Sequence, residues 1–199
     1  TFLAARWNGD VAAFNAAWNS SLASFDEIQA LVALASNTPA ARADRTAFRG
    51  HVATQYFRTV HDAVRAIEPQ MLILGSRFLA FSAAAPVVAA ATPYVDVFSI
   101  NAYEWNETWT GIARSGAAVH GNYPVGELLE DVDALHATSG KPVLISEFGY
   151  RAADSGLPNS TPPQYPVLYD QAERGEAYAA YLDRVLERPY IVGAHWFKH

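Results

Sequence analysis

The sequence predicts an α/β fold with parallel strands, and three observations support this class. Four short apolar runs, mostly bounded by Gly or Pro, have the length and composition of strands buried on both faces. The segments between them are long enough to hold a crossover helix. The order is a helical lead-in followed by β-α-β-α-β-α-β, which is typical of parallel strands joined by right-handed connections.

The composition indicates one globular domain over residues 1–199. Hydrophobic residues make up 51% of the chain, enough for a substantial core. The formal net charge is -6 and Lys and Arg form no cluster, which argues against a nucleic-acid partner. No apolar run approaches the roughly 18 residues that a membrane-spanning helix needs. Cysteine is absent, which excludes disulfides and thiolate metal sites.

The first third of the chain is predicted to be helical. Asp10 is a suitable N-cap for a helix whose apolar side consists of Val11, Phe14 and Trp18. Residues 22–32 repeat at helical spacing, and Pro39 is expected to end that segment. Residues 44–67 form the strongest helical pattern, which Pro69 stops. The predicted apolar stripe of this helix is Val52, Tyr56, Phe57, Val60, Val64 and Ile67.

The rest of the chain alternates between strands and helices. The predicted strands are Met71–Gly75, Val95–Ile100, Val143–Glu147 and Ile191–Trp196. Long loops follow the second and third strands, at about residues 104–123 and 151–170. Four strands fit either an open α/β sheet or the second half of an eight-stranded barrel, which usually needs about 250 residues. The end of the chain just past a strand favours the half barrel.

Polar or aromatic residues end all four strands. They are Ser76 and Arg77, Asn101 and Tyr103, Glu147 and Tyr150, and His195 and Trp196. Parallel strands end at one rim, so these side chains are expected to converge. A carboxylate can act as nucleophile on an acetal carbon, a Tyr hydroxyl can hold it in position, and a Trp face can stack on a sugar ring.

Each residue taken alone also has a purely structural interpretation. Trp196 suits the core, because Trp is buried on average. Tyr103 and Asn101 are equally suited to ending a strand. Arg77 is equally suited to an ion pair with Asp96 or with Glu147.

Several segments carry a recognisable pattern: Ile145–Ala152, Asp154–Asn159, the spaced Gln171, Arg174, Tyr178 and Tyr181, and Val192–Phe197. Together they resemble the C-terminal half of a clan A glycoside hydrolase, with agarase-like and β-galactosidase-like members the nearest. Leu72–Phe78 and Val95–Tyr103 are similar to barrel strands five and six. The resemblance implies a (β/α)8 TIM barrel of which this chain covers about strands 5–8 and the helix after strand 4.

The resemblance also implies roles for individual residues. Glu147 is the expected nucleophile of a retaining glycosidase, Tyr103 is expected to hydrogen-bond it, and Trp196 is expected to stack on the sugar. An oligo- or polysaccharide is the implied substrate, with no cofactor, and a secreted or periplasmic location would suit such an enzyme. Further residues expected to bind sugar are Asn101, Arg77, His195, Trp105 and Trp109.

The chain departs from the family pattern at the second catalytic carboxyl group. Clan members carry their acid/base Glu in an Asn-Glu pair after strand 4, whereas the only such pair here is Asn106-Glu107, after the second predicted strand. The acid/base is therefore expected upstream of Thr1, and the isolated chain is expected to be inactive. Glu104 and Glu107 are weaker alternatives, because glutamates in loops are usually solvated.

A second function class is a catalytically silent α/β module that binds carbohydrate. Other chemistries find no support: Ser146 lacks the nucleophile-elbow motif of serine hydrolases, His195 and His199 do not form a helical zinc motif, and there is no glycine-rich phosphate loop. A half barrel leaves two open sheet edges, so self-association is expected.

Overall fold

The structure is a computed structural model in which Thr1–Tyr56 and Phe57–His199 form two separate units. It describes residues 1–31, 34–79, 83–103, 125–157 and 167–197. Within those ranges, no helix has the length and apolar character needed to cross a membrane.

The N-terminal unit is helical. Its elements are α1 (Phe2–Arg6), α2 (Val11–Trp18), a 3-10 segment (Phe25–Ala30) and the first part of α3 (Pro39–Ile67). The Asp10 carboxylate accepts a 2.9 Å hydrogen bond from the Ala13 N–H, which confirms the predicted N-cap. The core of this unit consists of Phe14, Trp18, Phe25 and Ala41.

Two boundaries in this unit differ from the prediction. The expected helix over residues 22–32 is reduced to the 3-10 segment, where the Ser24 hydroxyl caps the Asp26 N–H. Pro39, expected to end that segment, instead occupies the first position of α3. The Thr38 hydroxyl accepts a 3.2 Å hydrogen bond from the Ala41 N–H. Proline is favoured at this first helical position because its missing N–H would have no partner there anyway.

The C-terminal unit contains a parallel four-stranded sheet. Its strands are β1 (Arg77–Leu79), β2 (Phe98–Asn101), β3 (Val143–Phe148) and β6 (Ile191–Trp196), in the order β1-β2-β3-β6. The helices between them are α4 (Ala85–Ala91), α5 (Val125–Ser139) and α6 (Gln171–Leu186). A small parallel pair lies beyond β3, formed by β4 (Arg151–Ala152) and β5 (Val167–Leu168). The predicted α/β class with a parallel sheet is confirmed.

The ladder register defines the two faces of this sheet. Phe78, Ile100 and Ile145 share one row, and the Phe78 ring lies 6.3 Å from that of Phe57 on α3. This row therefore faces the helices. Residues one position further along the strands point to the opposite face. On that face the register places Leu79, Asn101 and Glu147 in one row.

The first predicted strand is misplaced. The structure has no strand at Met71–Gly75 and begins β1 at Arg77 instead. Only Ile73 of that run is buried, and its N–H donates to the Asp96 carboxylate over 2.8 Å. Gly75 then takes a left-handed φ of +67°, with Val95 packed where its Cβ would lie, and this turn delays the start of the ladder.

The predicted stripe on α3 is mostly exposed. Phe57 is buried, whereas Ile67 is 87% exposed and Tyr56 is 55% exposed. The buried positions of this helix include two small residues, Ala41 and Ala53. The helical period was predicted correctly, but hydrophobicity alone selected the wrong face.

Candidate active site

Glu147 lies near the carboxyl end of β3, on the face of the sheet opposite the helices. Its side chain is 13% exposed. The register places it beside Asn101 of β2, in the row that continues to Leu79 of β1. The carboxyl ends of parallel strands are where α/β folds place their binding sites.

Two donors from neighbouring strands hold the Glu147 carboxylate. The Tyr103 hydroxyl donates a 3.0 Å hydrogen bond to Oε2. The Arg77 guanidinium forms an ion pair with Oε1 through Nη1. In the described part of the chain, these are the hydrogen bonds that the carboxylate accepts. Both oxygens are therefore fixed in orientation by donors from β1 and from the end of β2.

Tyr103 is itself positioned by the backbone that follows β2. The Ala102 N–H donates a 2.8 Å hydrogen bond to the Glu147 carbonyl oxygen. The Ala102 carbonyl accepts a 2.6 Å hydrogen bond from the Tyr181 hydroxyl of α6. Ala102 is fully buried between these contacts. Because these contacts hold the Ala102 backbone in place, Tyr103, although it follows the strand, can direct its hydroxyl toward Glu147 on β3.

The structure decides between the two ion-pair partners predicted for Arg77. Asp96 pairs with Arg65 at 2.7 Å and accepts the Ile73 N–H at 2.8 Å. The Ile73 N–H, with a further contribution from Arg65, outweighs desolvation and lowers the pKa of Asp96. Arg77 pairs with Glu147 instead. Its side chain is 59% exposed.

Trp196 lies in an aromatic cluster with residues of the helix α6. Its ring centroid is 5.5 Å from that of Phe148 and 5.4 Å from that of Tyr178, and the Arg174 guanidinium lies 5.6 Å from it. Phe148 and Trp196 pair in the ladder and share the helix-facing side. The structure thus groups Trp196 with α6 and not with Glu147, and the sugar-stacking role remains a prediction.

His195 precedes Trp196 on β6 and therefore points to the opposite face, which is that of Glu147. Its side chain is exposed. Asn101 shares this face, and its Oδ1 accepts a 2.9 Å hydrogen bond from the Ser146 hydroxyl. The sugar-binding roles predicted for both residues stay predictions.

Ser146 is the residue that sequence reasoning missed. From the sequence, Ser146 suggests only a serine-hydrolase nucleophile without the required motif, whereas in the structure its hydroxyl donates a hydrogen bond to Asn101 beside Glu147. A hydroxyl side chain directly before the carboxylate at a strand end was the available signal.

Four other predicted candidates, Glu104, Trp105, Glu107 and Trp109, lie outside the described residues. Among the residues that are described, no group of three or more His, Asp or Glu side chains is arranged to hold a metal ion.

Comparison with known proteins relates this chain to agarases, although no family model matches it. Beta-agarase A from Vibrio sp. (strain JT0107) is 33% identical over 199 residues, which cover 98% of this chain and 18% of that protein. A solved exo-beta-agarase is 34% identical with a TM-score of 0.77, covering 99% of this chain and 23% of the other. The crystal structure of another agarase is 28% identical with a TM-score of 0.77, at 99% and 24% coverage.

The chain thus spans less than a fifth of the curated relative and about a quarter of the solved structures. Similarity to the agarases extends over nearly all of the chain, in sequence and in fold. The resemblance to agarase-like glycoside hydrolases that the sequence predicted is confirmed.

Proposed function

We propose that this chain carries the nucleophile side of a retaining glycoside hydrolase site that acts on a β-linked, agar-type galactan. The observation that carries the proposal is the Glu147 carboxylate, held at a strand end by Tyr103 and Arg77. Similarity to beta-agarases supports the substrate class.

The proposed reaction has two displacement steps. A Glu147 oxygen attacks the anomeric carbon, the glycosidic bond breaks, and the leaving oxygen takes a proton from a separate acid. Water then attacks the glycosyl ester, which releases the sugar and returns the carboxylate. In retaining glycosidases the nucleophile and the acid/base carboxyl groups lie about 5–5.5 Å apart. Glu147 is assigned here as the nucleophile, and the acid/base is left unassigned.

Arg77 and Tyr103 have different parts in this scheme. Tyr103 keeps Oε2 in place throughout the reaction. When Oε1 bonds to the anomeric carbon, it loses most of its charge and its attraction for the guanidinium. The exposed Arg77 side chain then turns toward a sugar hydroxyl, which is consistent with the substrate-binding role predicted for it.

The four strands β1, β2, β3 and β6 are proposed to be strands five to eight of a (β/α)8 catalytic barrel, with residues 1–199 as its C-terminal half. Their parallel order and the TM-score of 0.77 with agarase chains support this assignment. In such a barrel the face that carries Glu147 points inward, and the site lies at the carboxyl-end rim.

A 2-deoxy-2-fluorogalactosyl fluoride tests the nucleophile. Fluoride leaves without a proton, so the first displacement proceeds even where the acid is missing. The intact gene product and the 199-residue chain are each incubated with this probe and digested for peptide mass spectrometry. We expect the label on Glu147 and no label in Glu147→Gln. Glu130→Gln, an exposed control on α5, should label like the parent. A label on another residue overturns the assignment.

A second candidate is a carbohydrate-binding module without activity, which is favoured by the single assigned carboxyl group. Agaro-oligosaccharides are titrated into the intact gene product while reducing ends are assayed. Turnover supports the hydrolase. Saturable binding with no turnover and no labelling of Glu147 supports the binding module.

A further inference from the structure

Between Ile145 and Phe148, β3 has one residue more than the facing stretch of either neighbouring strand. The ladder with β6 has a second irregularity, between Val143 and Leu144, where the extra residue belongs to β6. Against β2, Ile145 pairs with Ile100 and Glu147 with Asn101, so Ser146 is extra. Against β6, Ile145 pairs with Ala194 and Phe148 with Trp196, three steps against two. Both ladders therefore record a β-bulge in β3 between Ile145 and Phe148. Bulges are rare between parallel strands and are frequent beside active sites.

The bulge determines the direction in which Glu147 points. In a regular strand, residue 147 would share the face of Ile145, because side chains alternate with a period of two. Ile145 faces the helices, so a regular β3 would turn the carboxylate toward the helix layer and Phe148 away from it. In the structure Phe148 stacks on Tyr181 of α6, at 4.3 Å and 6° between the rings. Glu147 instead reaches Tyr103 and Arg77.

One side-chain hydrogen bond spans the bulge. The Ser146 hydroxyl donates to Asn101 Oδ1 over 2.9 Å, from the extra residue of β3 to the residue of β2 that pairs with Glu147. An extra residue is unpaired in the ladder, so its backbone alone leaves the register weakly specified. The Ser146–Asn101 bond ties this residue to β2 at the point where the register changes.

We infer that Ser146 and Asn101 are positioning residues: their hydrogen bond maintains the bulge that directs Glu147 to the substrate face. This inference rests on the proposed role of Glu147 as the nucleophile. It adds a requirement that the nucleophile assignment does not contain, namely a hydroxyl at position 146.

The test compares two substitutions of equal shape, Ser146→Thr and Ser146→Val. Both are β-branched and suited to a strand, but only Thr retains the hydroxyl. The 2-deoxy-2-fluorogalactosyl fluoride is applied to the intact gene product at a series of concentrations. The maximal inactivation rate and the half-saturating probe concentration are determined separately. We expect Ser146→Val to lower the maximal rate by about 10- to 100-fold, because small misplacements of a reacting group cost this much. The half-saturating concentration should change little, and Ser146→Thr should restore most of the rate.

Equal maximal rates for the two variants overturn the inference. If Ser146→Val fails to fold, Asn101→Leu removes the same bond from the other side and is expected to lower the rate similarly. Where both single variants fold, the double variant should be no slower than the slower single variant, since both substitutions remove one interaction. Additive losses overturn the shared role.

A crystal structure of Ser146→Val separates this inference from the proposed function. Loss of the bulge register, with Glu147 turned away from Tyr103, supports the positioning role even if the parent protein is never labelled. An unchanged register with the Tyr103–Glu147 hydrogen bond intact overturns it, whatever the activity.

Discussion

Tyr103 donates a 3.0 Å hydrogen bond to Oε2 of Glu147, a residue 44 positions further along the chain. The two residues meet because β2 and β3 are neighbours and end at the same rim. This hydrogen bond is central to the proposed site, since it joins the expected nucleophile to the residue expected to hold it.

Tyr103→Phe removes this donor and keeps the ring. We expect the maximal rate of Glu147 labelling to fall by about 10- to 100-fold, because a misoriented carboxylate reaches the attack geometry less often. The free energy of unfolding should fall by only about 1 kcal/mol, the net contribution of one hydrogen bond. Tyr169→Phe, at a position that is 82% exposed, is the matched control and should leave both quantities unchanged. An unaltered labelling rate in Tyr103→Phe would remove Tyr103 from the site.

Gly149→Ala tests the close approach of two backbone segments beyond β3. A Cβ at Gly149 would overlap the Phe197 carbonyl oxygen. The Phe197 N–H also donates a 2.8 Å hydrogen bond to the Phe148 carbonyl oxygen, which holds the backbone after β6 against the end of β3. We expect destabilisation of about 1–3 kcal/mol or more in urea unfolding. At Gly175 on α6, a Cβ would meet no described atom within 4 Å apart from the backbone of its own helix, and Gly175→Ala should stabilise by about 0.5–1 kcal/mol. Equal midpoints for the two variants would refute the predicted clash.

Asp44 is predicted to make the N-terminal unit acid-sensitive. Its buried carboxylate accepts hydrogen bonds from Arg6, Trp7 and Trp18, at 2.5, 2.7 and 2.8 Å. Burial raises its pKa, but together the hydrogen bonds from Arg6, Trp18 and Trp7 outweigh burial and lower it below 3.8. A carboxylate whose pKa is lower in the folded state stabilises the fold at pH values above its unfolded-state pKa. This stability is lost as the pH falls below about 4 and through the folded-state pKa.

The measurement is thermal unfolding followed by tryptophan fluorescence at a series of acidic pH values. Asp44→Asn should be less stable than the parent near neutral pH and lose less stability on acidification. Asp26→Asn, an exposed control in the same unit, should keep the pH slope of the parent. Parallel pH profiles for the parent and Asp44→Asn would show that this carboxylate does not control acid stability.

The isolated 199-residue chain is expected to self-associate. Among the described strands, β1 and β6 are the edges of the four-stranded sheet. Large apolar side chains are exposed on or next to them: Leu79 at 44%, Val192 at 59% and Phe197 at 46%. Unpaired strand edges with apolar side chains promote pairing with another chain. In sedimentation velocity, the apparent mass of the chain should rise with protein concentration. Val192→Lys should weaken this self-association. A monodisperse monomer at all concentrations would contradict this prediction.

Sequence reasoning succeeded where local pattern and chain order carry the information. Asp10 caps α2, β6 spans the predicted residues Ile191–Trp196, and the parallel order follows from alternating strands and helices. The meeting of Tyr103 with Glu147 was also predictable, because parallel strands end at one rim. These features depend on periodicity, capping and the order of elements, which local sequence patterns and their order along the chain reveal.

Sequence reasoning failed where two equally apolar segments, or two equally polar partners, compete for one position in the fold. Met71–Gly75 has a strand composition, yet Asp96 takes the Ile73 N–H and the ladder begins at Arg77. The more apolar stripe of α3 is mostly exposed, although Phe57 within it is buried. Neither result is visible in the segment itself, because each depends on which distant partner packs or bonds there.

The sequence by itself determined the fold class, the parallel strand order and the position of Glu147 at a strand end, since hydrophobic period and chain direction suffice for these. Only the tertiary structure decided that Arg77 pairs with Glu147, that Trp196 packs with α6, and that a bulge at Ser146 turns the carboxylate to its face. The physical reason is that register and pairing are set between strands: one extra residue in β3 reverses a side chain without changing any local propensity.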